Sequence, residues 1–92
     1  MNNVNLELGT LIKDYRLALN LTQSDLAEKL AYDSTQFVSL FERGLAKVPF
    51  NVLGKLVVIL GIPEKKILKI LTTAFDKNLR QQMNEGKREL TA

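Results

Sequence analysis

Ninety-two residues, 46% of them hydrophobic, with a net charge of +3, make one small domain with a modest core. Cysteine and histidine are both absent, which removes disulfides, thiolate nucleophiles, imidazole acid–base chemistry and any ordinary zinc site. The longest apolar run, residues 56–60, is far too short to cross a bilayer.

Met1 to Asn5 carries neither a basic region nor an apolar stretch, so no signal peptide is expected. Residues 6–19 read as a first helix with Leu8, Leu11, Ile12, Tyr15 and Leu19 on its buried side. Thr22 is a good N-cap for a second helix, and Asp25 sits where the helix dipole favours negative charge. Leu26, Ala27 and Leu30 then form one apolar edge. The stretch Ala31-Tyr32-Asp33-Ser34 breaks the run, and Asp33 or Ser34 can cap a third helix. In that helix Val38 and Phe41 lie three apart and are expected to enter the core. Thr35, Gln36 and Ser39 take the opposite side. Gly44 is expected to close the helix in the left-handed conformation.

Residues 49–60 read as a fourth helix, with Pro49 near its start and Gly61 just past its end. Gly54 inside it costs about 1 kcal/mol against alanine, which suggests close approach of a neighbouring helix. Pro63 suits a first helical turn, and residues 64–83 read as one further helix. Ile67, Ile70, Leu71 and Ala74 can close onto the core. A second apolar row, Leu68, Leu71, Phe75, Leu79 and Met83, runs past where such a core ends. A second subunit is its expected cover. From Asn84 onward, with Gly86 and mixed charge, the chain is expected to fray into a flexible tail. The organisation is therefore all-α: a domain over 1–63, a dimerisation helix over 64–84 and a tail over 85–92.

Two short helices joined by a tight turn, the second opening on small polar side chains, form the pattern of a helix-turn-helix. Several segments strengthen it. Leu8-Gly9-Thr10-Leu11-Ile12-Lys13 with Arg16, then Leu21-Thr22-Gln23 through Leu26-Ala27, come first. Ser34 to Ser39, Phe41-Glu42-Arg43-Gly44, and Pro49, Leu53, Leu56 and Leu60-Gly61-Ile62 follow in order. Over about residues 8–70 this chain resembles the phage-repressor and Cro-like (XRE-type) helix-turn-helix family. The resemblance implies a five-helix bundle, a recognition helix over residues 34–42, and a buried ion pair between Arg16 and Glu42. It also implies a cytoplasmic protein, bacterial or phage-encoded. One departure stands out: the commonest form of the motif has a glycine after the leucine that Leu30 matches. Here Ala31-Tyr32-Asp33-Ser34 fills a turn one residue longer. Which of Ser34, Thr35 and Gln36 is presented first is left open by that length.

Such a domain is expected to be a DNA-binding transcriptional regulator, a repressor, acting on a pseudo-palindromic double-stranded operator as a homodimer. Gln36 can donate and accept bidentately to adenine, and Ser34, Thr35 and Ser39 can contact several base edges. Leu40 fits either a thymine methyl group or a protein contact, and Phe37 shares that ambiguity. Phosphate contacts fall to Thr22, Gln23, Arg43 and Lys47. Residues 1–63 hold six basic and six acidic residues, so this domain is neutral and the excess lies in 64–92. A neutral module binds DNA weakly as a monomer, which argues for the dimer through Leu68, Leu71, Phe75, Leu79 and Met83. The rival reading is an antitoxin-like or adaptor protein that uses the same fold to hold a protein partner, a toxin or a regulator. No catalytic constellation, cofactor, metal or membrane contact is expected.

Overall fold

In a computed structural model the described residues, 3–91, form five helices: α1 (Val4–Ala18), α2 (Gln23–Lys29), α3 (Gln36–Glu42), α4 (Phe50–Leu60) and α5 (Glu64–Thr91). The core lies where α1, α3 and α4 meet, around Leu8, Ile12, Leu26, Val38, Leu56 and Ile62. Val38 and Phe41 enter it as their spacing requires.

The helix boundaries follow from capping chemistry. Asn3 starts α1 two residues earlier than periodicity suggests, because its side-chain oxygen accepts the Leu6 N–H at 3.0 Å. Leu19, expected on the buried side, is half exposed: the helix has ended at Ala18 and the chain has turned away. Tyr15, expected on the same side, is partly buried, with its ring under the Lys66 ammonium and its hydroxyl accepting from Lys66 Nζ at 2.9 Å.

Three successive helices end with the same hydrogen-bond signature. Asn20, Ala31 and Gly44 each take a positive φ of about 60–70°. Each donates its N–H to the carbonyl three residues back. The following N–H, from Leu21, Tyr32 or Leu45, reaches five residues back, to Arg16, Ala27 or Leu40 respectively. This is the Schellman closure. Asn and Gly tolerate the left-handed region; alanine does not do so freely. Ala31 therefore occupies the place where a glycine is usual, and the extra length of the turn falls after it, before α3. There the expected caps are only partly realised. Thr35, at the cap position, makes no side-chain cap bond; Ser34 Oγ accepts the Gln36 N–H at 3.3 Å. Asp33 remains exposed.

Gly54 corrects another expectation. A side chain at this position would meet nothing within 4 Å, so no neighbouring helix demands the glycine. Pro49 and Pro63 both stand immediately before their helices, and Gly61 closes α4 with φ 71°.

α5 is the longest element. Its first half lies on the bundle through buried Ile67 and partly buried Ile70 and Leu71. The rest projects, which explains overall dimensions of 55 × 24 × 19 Å. The helix continues to Thr91, where fraying was expected from Asn84. Residues 84–91 are mostly good helix formers, and a single Gly86 costs too little to interrupt a helix already nucleated upstream.

Candidate nucleic-acid interface

The base of the site is an ion pair at the centre of the helix-turn-helix. Arg16 projects from the last turn of α1 and Glu42 closes α3. The guanidinium meets the carboxylate through two parallel bonds, Nε to Oε2 at 2.7 Å and Nη2 to Oε1 at 2.9 Å. Its remaining arm, Nη1, donates to the Leu21 carbonyl at 2.7 Å. Gln23 then donates its side-chain N–H to Glu42 Oε1 at 3.1 Å. Both charged side chains are almost wholly buried, and among the described residues no buried side-chain polar atom lacks a partner. The hydrogen bond from Arg16 to Glu42 pushes the arginine further above its already high pKa, outweighing the opposite effect of burial. One network thus ties the end of α1, the start of α2 and the end of α3, fixing the angle between the two helices of the motif.

At the start of α2, Thr22 and Asp25 form a reciprocal cap. Thr22 Oγ1 accepts the Asp25 N–H at 2.9 Å, and Asp25 Oδ2 accepts the Thr22 N–H at 2.8 Å. These bonds hold the Asp25 carboxyl below its usual range, the backbone bond from Thr22 contributing most. The Thr22 hydroxyl also bonds to that carboxyl, the second contribution to its lowering. Gln23 spends one amide hydrogen on Glu42 and retains the other.

Ser34, Thr35 and Gln36 are exposed together at the opening of α3, with Ser39 and Leu40 half-buried further along. Arg43 is exposed at its end. Lys47 stands apart from this group, in the loop before α4, with its ammonium 5.2 Å from the centre of the Phe50 ring. Phe37, half exposed, belongs to an aromatic cluster, its ring 5.3 Å from Tyr32 and 6.2 Å from Phe41. Tyr32 thereby braces the glycine-free turn against α3. The Gln23–Glu42 bond and this cluster were not legible beforehand; an aromatic at 32, 37 and 41 was the available signal.

The expected second apolar row on α5 is in place. Leu68, Phe75, Leu79 and Met83 are between 44% and 67% exposed, while Leu71 is partly covered by the core. No helix among the described residues is long and apolar enough to cross a membrane, and no cluster of acidic side chains among them could hold a metal.

A family model described as helix-turn-helix matches residues 12–67, spanning the ion pair, both helices of the motif and the bundle around them. The chain belongs to the XRE/Cro-like helix-turn-helix family. Comparisons with curated proteins and with solved structures give no match. Membership makes this helix-turn-helix protein a DNA-binding transcription regulator in general terms, in a family of regulators rather than of enzymes.

Proposed function

We propose that this protein is a sequence-specific repressor that binds a pseudo-palindromic operator as a homodimer. The observation that carries the reading is the exposed polar opening of α3, set on a helix whose other end is locked by the Arg16–Glu42–Gln23 network. Ser34, Thr35, Gln36, Ser39 and Leu40 face base edges in the major groove. Thr22, Gln23, Arg43 and Lys47 meet phosphates, Gln23 through the amide hydrogen its internal bond leaves free. A repressor needs only occupancy of its site, and this surface is built for occupancy.

The domain up to residue 63 has no net charge, so one copy neutralises few phosphates. Two copies joined through Leu68, Leu71, Phe75, Leu79 and Met83 double the contacts. The exposure of most of that row supports the reading.

The half-exposed Phe37 beside Leu40 favours one rival, a protein partner seated on the same helix. Selection of bound sites from random duplex DNA, followed by a salt titration on the winning sequence, separates the two. A repressor yields a two-fold symmetric site and an affinity that falls steeply with salt. No enriched site, with salt-insensitive binding to a protein, would establish the rival.

A further inference from the structure

The projecting half of α5 has a spacing that the row of apolar residues alone does not convey. Leu68, Leu79 and Leu90 stand eleven residues apart, and so do Phe75 and Gly86. Eleven residues over three turns keeps these positions on one nearly straight stripe. The stripe is open: Phe75 is 67% exposed, Leu90 92%, and nothing lies within 4 Å of where a Gly86 side chain would start. A wholly solvated helix has no use for such a stripe.

We infer that the stripe packs against its own copy in a second chain, antiparallel, with Phe75 seated over Gly86 of the partner subunit. The same register sets Leu71 opposite the partner's Leu90 and Leu79 beside the partner's Met83. Self-complementarity carries the choice of occupant and of direction. An antiparallel pair meets the bulkiest side chain with the smallest. A parallel pair stacks Phe75 on its own equivalent and leaves two glycines facing across a void. The antiparallel arrangement also lays the end of the partner helix along a groove of about 1000 Å³ with mixed apolar and polar walls. That groove opens between Leu71 and Phe75 on one side and Val4, Phe50 and Leu53 on the other.

This inference rests on the dimer reading and deepens it, because the register sets a distance. Its two-fold axis passes between residues 80 and 81. Ile70, mid-way along the part of α5 that lies on the bundle, is about ten residues from that axis. At 1.5 Å per residue the two bundles are then displaced by about 30–35 Å along the helix pair. One turn of B-DNA separates half-sites by about 34–36 Å.

The chain has no cysteine, so single cysteines report contacts cleanly. Full-length Phe75→Cys and Gly86→Cys are mixed and treated with a short bis-maleimide. Cross-linking between the two variants, and of neither with itself, is the expected result. Self-linking of each variant overturns the direction, and no linking in a mixture that sediments as a dimer overturns the register while leaving the homodimer standing. A wild-type chain that sediments as a monomer at tens of micromolar overturns both. Gly86→Leu gives an independent reading: dimer dissociation should become at least tenfold easier with helicity by circular dichroism undiminished. Unchanged or tighter association of that variant overturns the seating of Phe75.

Discussion

Gly9 and Phe41 touch so closely that a Cβ on Gly9 would overlap the Phe41 backbone carbonyl oxygen, with the Glu42 carbonyl oxygen 2.7 Å away. This contact seats α1 against the end of α3, next to where Arg16 reaches Glu42. The obstacle is backbone on both sides, so nothing flexible can yield.

Two glycine-to-alanine changes should therefore have opposite signs. Gly9→Ala forces α1 and α3 apart and should cost about 1–3 kcal/mol, despite its better helix propensity. Gly54→Ala meets open space and should stabilise by about 1 kcal/mol. Urea unfolding of both variants measures the contrast. Equal signs would refute the assignment of the close approach to Gly9.

The turn between α2 and α3 carries a correctable strain. Ala31 holds φ 61° at the position where the Schellman closure favours glycine. The left-handed conformation costs an alanine about 1–2 kcal/mol, and glycine gives back about 0.5–1 kcal/mol in unfolded-chain entropy. Ala31→Gly should therefore gain up to about 1 kcal/mol, read as a higher urea midpoint at constant slope. A loss of stability would show that Ala31 contributes packing the turn needs.

Much of this architecture was legible in the residues. Thr22 with Asp25, Val38 with Phe41, and Gly44 each act where local chemistry puts them, because capping and periodicity involve neighbours in sequence. The failures share a cause as well. Gly54 and Gly9 look alike on paper, and only the packing of distant elements separates a glycine that is required from one that is not. Leu19 matches the helical period, yet a chain reversal at Asn20 removes it from the core. Gln23 reads as a free donor until folding brings Glu42, nineteen residues away, within reach.

Glu42→Ala strands the Arg16 guanidinium in a site where two of its three bonded nitrogens lose their partner. The cost should be about 3–5 kcal/mol, a large share of a small domain's stability. Gln23 loses its internal acceptor at the same time. A melting temperature lowered by only a degree or two would show that the network relaxes into solvent, and that α3 is not held in place by it.

The last prediction concerns how DNA is read. Gln36 is exposed at the opening of α3, whereas Lys47 lies outside the helix, over Phe50. A side chain bound to a base edge and one bound to a phosphate should fail differently. Gln36→Ala should cost about 1–3 kcal/mol on the selected site and relax the preference at one base pair in each half-site. Lys47→Ala should weaken selected and random duplexes alike and lower the slope of log affinity against log salt by about 1. Competition binding across single-base operator variants, repeated at two salt concentrations, resolves both. If Gln36→Ala weakens every sequence equally, it contacts the backbone and base reading falls to Ser34, Thr35 or Ser39. If Lys47→Ala leaves the salt slope unchanged, its ammonium is committed to the Phe50 ring and the phosphate grip rests on Arg43 and the start of α2.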